Sequence, residues 1–262
     1  MTWDTVEQFR VWWQAHWRPL RHIVVLTGAG ISAESGIPTF RGQEAFWNGM
    51  TPEELFTPRT LATDPARAWM VYDALRACAA TAEPNAGHRA LVTLADALTV
   101  TVITQNIDGL HQRAGSLGVL ELHGTLWQVR CDACRRLEHD TRVPVPELPP
   151  RCPDCRGVLR PDIVLYTEPL PVETLIAAHT AARGCDLMLV VGTSGVVYPA
   201  ASLPGVVAEH GGLTIEINPD TTPLSRTMDC VVRASAAMAL PAVAAILAHV
   251  APQRYTIYDC EG

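Results

Sequence analysis

Four thiols fall as Cys131-x-x-Cys134 and Cys152-x-x-Cys155, and four sulfurs at that spacing can meet the tetrahedral demand of Zn²⁺. Such a set leaves no open coordination position, so the metal it would hold is structural. A redox dithiol pair or a nucleic-acid-reading zinc ribbon would use the same residues. The other chemically loaded positions are polar and follow apolar runs. His123 comes after Glu121-Leu122 and before Gly124; an imidazole titrates near neutrality and can take a proton from a hydroxyl and return it. Gln105-Asn106-Ile107-Asp108 supplies two amides and a carboxylate, groups that orient a ribose or a carboxamide, although Asn and Asp also serve as plain helix caps. Gly28-Ala29-Gly30-Ile31-Ser32-Ala33 fits G-x-G-x-x-A, in which glycines let the backbone turn tightly and approach a pyrophosphate. Gly192-Thr193-Ser194 and Asn218-Pro219 complete the set.

The elements that must position these residues are strands. β-type runs at residues 22–26, 100–103, 119–122, 186–191 and 213–217 end on those polar tips, and a sixth is predicted at 230–232. Helical patterns at 85–97, 107–115, 172–183, 197–210 and 240–250 lie between or after them, and residues 1–21 read as an amphipathic helix. Residues 46–82 are helical in character, with turn signals at Thr51-Pro52, Thr57-Pro58 and Asp64-Pro65. Residues 127–160 read as a proline-rich insertion stapled by the metal. Six strands alternating with helices predict an α/β fold with a doubly wound parallel sheet covered on both faces. In such sheets ligands sit outside the carboxyl ends of the strands, so the tips share one crevice. One departure from an ordinary dehydrogenase unit is plain: no strand and ribose-binding acid follow the glycine turn at the usual distance. The loop at 32–42 is then expected to act as a flap.

The chain of 262 residues is 48% hydrophobic, long enough to bury a full α/β core, and its net charge of −7 argues against a broad phosphate-binding surface. Asp4, Glu7, Arg10, Arg18 and Arg21 break up any secretory segment, and no apolar run is long enough to span a membrane. A cytoplasmic protein is expected, in which the cysteine pairs bind metal rather than form disulfides. The arginines between Arg130 and Arg160 are interleaved with acids and read as a solvated surface.

Taken in order, Gly28-Ala29-Gly30-Ile31-Ser32-Ala33-Glu34-Ser35-Gly36-Ile37-Pro38-Thr39-Phe40-Arg41-Gly42, the stretch from Thr104 to His111, Leu122-His123-Gly124, both cysteine pairs, Gly192-Thr193-Ser194-Gly195-Val196-Val197-Tyr198-Pro199-Ala200 and Ile217-Asn218 resemble the sirtuin family across nearly the whole chain. The resemblance implies a Rossmann-like NAD-binding unit at 1–42, 85–127 and 163–262. It also implies a small unit made of a helical insertion at 43–84 and a zinc module at 128–162, with Cys131, Cys134, Cys152 and Cys155 as ligands.

The activity implied is NAD-dependent removal of an acyl group from lysine in a protein or peptide. The acyl oxygen attacks C1′ of the nicotinamide ribose, nicotinamide leaves, and an alkylamidate forms. His123 then acts as general base on the ribose hydroxyls, so that the 2′-oxygen attacks the amidate carbon; water completes the reaction, giving lysine and O-acyl-ADP-ribose. By matching position, Asn106 shares the catalytic centre with His123, Asn106 and Asp108 bind the nicotinamide end, and Gln105 lies near the ribose. Gly28, Ala29, Gly30, Ser32, Ala33, Thr39, Phe40 and Arg41 enclose the cofactor, Phe40 shielding the reactive carbon from water. Ser194 and Asn218 hold the adenosine half and Gly192 and Thr193 also meet the cofactor, while Ile107, Val164, Leu165 and Tyr166 meet the substrate peptide.

Two positions depart from the family pattern. In Val164-Leu165-Tyr166-Thr167-Glu168, Thr167 stands where relatives carry glycine in the stretch that pairs with the peptide. In Tyr72-Asp73-Ala74-Leu75, the acyl-facing pair is Tyr72 and Leu75; Leu75 occupies the place of an arginine that clamps acidic acyl chains in desuccinylating relatives. Arg76 lies about 100° further round a helix. Neutral acyl groups are therefore expected. Mono-ADP-ribosyl transfer or NAD hydrolysis at the same site, and a non-catalytic NAD sensor, are the alternatives; oligomeric state is left open, a monomer being one option.

Overall fold

The computed structural model describes residues 5–39 and 51–249. Helix α1 (Thr5–His16) turns Phe9 and Trp13 into the core and Glu7 and Arg10 outward, the amphipathic pattern expected. Strand β1 (His22–Thr27) is buried from Ile23 onward, as a strand covered on both faces must be. Two 3-10 turns, Ala29–Ile31 and Ala33–Ser35, follow in place of a regular helix.

Helices α2 (Pro52–Leu55), α3 (Pro58–Thr63) and α4 (Pro65–Thr81) each open on proline, which lacks the N–H that a first helical turn leaves unpaired. Thr57 and Asp64 cap the second and third of these, accepting from the N–H groups of Thr60 and Arg67, so the sequence turn signals are helix starts. Helix α5 (Ala86–Ala95), capped by Asn85, leads to β2 (Thr99–Thr104), and α6 (Leu110–Ala114) leads to β3 (Leu120–Glu121), only two residues long.

The segment 127–160 contains regular structure beside its proline-rich stretch. Strands β4 (Gly124–Cys131), β5 (Leu137–His139) and β6 (Leu159–Ile163) form an antiparallel sheet in the order β5-β4-β6. β4 continues across residues 127 and 128, with a register shift against β6 between Thr125 and Val129, and carries the chain from the cleft into the cysteine ribbon. After it come α7 (Val172–Gly184), β7 (Leu187–Val191), α8 (Leu203–Glu209), β8 (Leu213–Ile217), β9 (Cys230–Val232) and α9 (Ala236–Ala248). The helix predicted at 197–210 is confined to a 3-10 turn, Ala200–Ser202, and α8. That predicted at 240–250 begins earlier, with Pro241 inside it; the buried Ala236, Ala239 and Leu240 hold the turn that a proline would otherwise end.

The main sheet has the order β3-β2-β1-β7-β8-β9 and is parallel throughout. Its winding direction reverses between β1 and β7, the switch point where open α/β sheets bind ligands. Register makes the strand ends level: Thr27 pairs with Thr104 and with Val191, and Val191 pairs with Ile217. One face of this sheet buries side chains of α1, α5 and α9, the other those of α7 and α8. A separate apolar cluster joins α4 to β4 and β6 and includes Cys131 and Cys152. Trp69 Nε1 donates to the carbonyl of Leu159 at 2.7 Å across that join. Among the described residues, no helix is long and apolar enough to cross a membrane.

Candidate active site

The strand tips surround a cleft of about 700 Å³. Gly28 and Gly30 in its floor answer first to protein contact: a Cβ on Gly30 would stand 2.7 Å from Cα of Gly192, and one on Gly28 would stand 2.8 Å from Cα of Thr193. Gly30 N–H donates to the carbonyl of Gly192 at 2.8 Å, and Gly192 itself has φ 59°. The tips of β1 and β7 are thus fused by backbone, which is a more specific reason for these glycines than approach to a pyrophosphate.

Hydrogen bonds tie each tip to the next. Asn106 Nδ2 donates to the Gly28 carbonyl and to Ser32 Oγ, both at 3.2 Å, and Ser32 Oγ donates to Asp108 Oδ2 at 2.7 Å. Gln105 Nε2 donates to Thr193 Oγ1 at 2.9 Å, and Asn218 Nδ2 to the Thr193 carbonyl at 2.9 Å. Asp108 also accepts from Leu110 N–H at 2.8 Å, so the capping role weighed for it from sequence is present as well. Burial pushes the Asp108 carboxyl above its usual range, against the opposing bonds from Leu110 and Ser32.

His123 lines this cleft, half-buried. Its Nδ1 lies 2.9 Å from the carbonyl oxygen of Gln105. A carbonyl can only accept, so Nδ1 carries the proton and Nε2 keeps its lone pair. Burial holds the imidazole below its ordinary range, and the bond to Gln105 works in the opposite direction. The result is a neutral ring with one basic nitrogen.

Of the positions expected to hold cofactor, Gly28, Ala29, Gly30, Ala33, Thr39, Gln105, Asn106, Gly192, Thr193, Ser194 and Asn218 line the cleft. Ser32 is fully buried behind it. Asp108 lines a second, smaller cavity of about 20 Å³, which Ala29, Asn106 and Ile107 share with the cleft; that is room for about one water. Phe40 and Arg41 lie outside the described residues. On the substrate side Ile107, Val164, Leu165 and Tyr166 line the cleft. Leu75 borders the small cavity. Tyr72 is 1% exposed, packed against the rings of Phe56 and Trp69, so it lies a layer behind Phe56, which does reach the cleft. Burial pushes its hydroxyl up to about 12.

Sequence reasoning reached Asn218-Pro219 but missed the wall at residues 220–223 that continues from it, and its support. Glu216, 1% exposed within β8, accepts from Thr222 Oγ1 and Ser225 Oγ and pairs with Arg233 at 3.1 Å. Arg233 in turn donates to the carbonyl of Asp220 at 2.6 Å. The signal was a lone charge in a strand predicted to be buried, which had to have a partner. Glu34 was also missed: it lines the cleft and accepts from Ala237 N–H at 2.7 Å at the start of α9, a partner too distant in the chain for any local pattern to reveal.

The sulfurs of Cys131, Cys134, Cys152 and Cys155 lie within 4.8 Å of one another. The Cys131–Cys155 and Cys134–Cys152 separations are 3.5 and 3.6 Å, far beyond a disulfide and close to the roughly 3.8 Å edge of a tetrahedron with Zn–S of about 2.3 Å. Each pair sits on the same turn: Arg135 N–H donates to the Cys131 carbonyl at 2.8 Å, and Arg156 N–H to that of Cys152 at 2.9 Å. The residues fit a structural Zn²⁺. Arginines of the ribbon are ion-paired at home, Arg130 with Asp162, Arg136 with Asp154 and Arg160 with Glu168, which disfavours a nucleic-acid reader.

A doubly wound parallel sheet, a four-thiol ribbon grafted onto it, and an oriented imidazole in a cleft of dinucleotide size define a sirtuin-type protein. The Sir2 family profile matches residues 28–199. An NAD-dependent protein deacylase of Aquifex aeolicus (strain VF5) is 50% identical over 209 residues, 79% of this chain and 87% of that protein. The solved structure of a Sir2 homologue mutant with 2′-O-acetyl ADP ribose has a TM-score of 0.83 at 40% identity, covering 95% of this chain and 96% of that one. A Sir2 structure with p53 peptide and NAD+ has a TM-score of 0.77 at 33% identity, covering 91% and 96%. The chain belongs to the Sir2 family.

Proposed function

We propose that the chain is an NAD-dependent protein-lysine deacylase that transfers an acyl group from lysine to ADP-ribose and releases nicotinamide. The observation that carries this reading is the 2.9 Å contact between His123 Nδ1 and the Gln105 carbonyl. It leaves Nε2 as a base in the cleft, and cleaving the nicotinamide bond alone would need none. The names and bound molecules of the relatives support the same reaction class.

In this reading His123 takes a proton from a ribose hydroxyl through Nε2 and returns it later. Asn106, its Nδ2 committed to Gly28 and Ser32, offers Oδ1 to the ligand. Gln105 and Thr193 position the ribose, and the wall at 218–223 takes the adenosine half. The loop at 32–42 is read as the flap that excludes water, Phe40 being the shielding residue; water would otherwise consume NAD unproductively. Val164, Leu165 and Tyr166 receive the peptide carrying the acyl-lysine.

The chain is read as a NAD-binding unit at 1–42, 85–127 and 163–262 with a small unit at 43–84 and 128–162, supported by the apolar cluster shared by α4, β4 and β6. Four cysteines kept as thiols for a metal suit a reducing cytoplasm. Mass spectrometry of products from NAD and an acetyl-lysine peptide tests the function. O-acetyl-ADP-ribose is expected; nicotinamide release indifferent to the peptide would indicate an NAD hydrolase instead.

A further inference from the structure

Three described non-glycine residues have positive φ: Arg135, Arg156 and Thr167. The two arginines follow the cysteine pairs in matching turns. Thr167, with φ 78°, lines the active-site cleft and is exposed there. A β-branched residue in the left-handed region is an outlier, because its Cβ crowds the following carbonyl. The turn explains the geometry: Glu168 N–H donates to the Leu165 carbonyl at 2.9 Å, which makes Thr167 the third residue of a β-turn, where a φ near +80° ordinarily demands glycine.

The surroundings leave the turn no alternative. The Glu168 carboxylate accepts from Arg160 at 2.7 and 2.9 Å and from Leu165 N–H at 2.9 Å, and Arg160 is 3% exposed. Tyr166 N–H donates to the Phe56 carbonyl at 2.8 Å, and Val164 N–H to the His123 carbonyl at 2.9 Å. From Val164 to Glu168, Thr167 is the one residue whose N–H has no hydrogen-bond partner among the described residues. Strain of this kind persists only where the structure over-determines it, and it concentrates at binding sites.

An extended peptide approaching this edge is left with carbonyls and the Thr167 N–H for main-chain pairing. Pairing there brings the peptide backbone alongside Cβ, Oγ1 and Cγ2 of Thr167, where a glycine would present nothing. Resting on the deacylase reading, we propose that Thr167 is a specificity-determining residue, selecting peptides that carry a small residue next to the acyl-lysine. The turn cannot swing the side chain aside, since Arg160 and Phe56 fix the backbone on either side of it. Selection therefore acts by exclusion of bulk rather than by added attraction.

The test uses matched acetyl-lysine peptides with glycine or tryptophan flanking the lysine, on one side and then the other. Wild type, Thr167→Gly and Thr167→Asn are compared, with O-acetyl-ADP-ribose as the readout. In the wild type, KM for at least one tryptophan peptide is expected to exceed that of its glycine counterpart about tenfold or more. Thr167→Gly narrows that ratio to within about threefold while KM for NAD stays put. Thr167→Asn keeps the bulk but tolerates left-handed backbone, so it retains the ratio and raises the thermal midpoint by about 2–4 °C. No ratio in the wild type, or a ratio unchanged in Thr167→Gly, overturns the proposal. Absence of product from every peptide overturns the functional reading and this one with it.

Discussion

Arg76 and Asp140 form an ion pair at 3.1 Å with both side chains shut off from solvent. The same guanidinium donates to the carbonyls of Leu126, Asp140 and Arg142 and lies over the Trp127 ring. A single charge thus clamps α4 of the helical insertion to the ribbon. Removing one partner of a buried pair strands the other, so Arg76→Met is expected to cost about 3 kcal/mol, the lower end of the usual range because Arg142 still holds Asp140. Denaturant unfolding checks this, and a cost near zero would show that the clamp is dispensable.

That commitment also removes Arg76 from acyl recognition. The charged residues lining the cleft are Glu34, Glu168 and Asp220, with no Arg or Lys among the described residues. An acidic acyl group would meet like charge and no guanidinium fork. In a panel of acylated peptides, acetyl or longer neutral chains should exceed succinyl and malonyl in kcat/KM by about tenfold or more. Succinyl-lysine turning over fastest would refute this.

His123 fixes the pH profile. Its burial favours the neutral ring, so the folded value lies below the ordinary 6.5. Base catalysis requires the unprotonated form and is lost as pH falls through the folded value. The kcat/KM profile should therefore be flat above pH 6.5 on its acid side and decline only below it. His123→Ala should lower O-acyl-ADP-ribose formation by about 10²–10⁴-fold with NAD binding retained.

Two other histidines bear on stability. Burial, then the Arg89 charge, pushes His88 down to about 4, and burial, then His88, pushes His111 down to about 3. Both are neutral in the folded chain, whereas in the unfolded chain they protonate below about 6.5. Their contribution is present above that pH and is lost as pH falls toward the folded values, about 3 kcal/mol by pH 4 for His88 alone. Urea midpoints should fall steadily from pH 6.5 to 4, and a flat response would show that the pair is hydrated.

The four-thiol site should bind one Zn²⁺ per chain with sulfur neighbours at about 2.3 Å by X-ray absorption. A strong chelator should lower the thermal midpoint and expose the ribbon to protease while the parallel sheet persists. Stability unchanged after metal removal would mean that the apolar cluster around Cys131 and Cys152 holds the ribbon alone.

The parallel strands were legible because burial on both faces writes itself as short apolar runs, and His22–Thr27 and Leu187–Val191 could hardly be anything else. The ribbon strands were not, because β5 has only three residues and the pairing of β4 with β6 shifts register between Thr125 and Val129, so no long alternation is there to read. Tyr72 is expected to face the acyl group, yet it is 1% exposed behind the rings of Phe56 and Trp69; a matching motif tells which residues share a helix face, not what covers it.

By itself, the amino-acid order determined the strand tips, the thiol tetrad and the imidazole, since each depends on residue type within a few positions. Which nitrogen of His123 is basic, where Arg76 spends its charge and how Thr167 is held were decided only by tertiary structure. Each depends on a partner brought close by folding, Gln105, Asp140 or Arg160, and the strength of a hydrogen bond or ion pair depends on distance and burial, which no local pattern encodes.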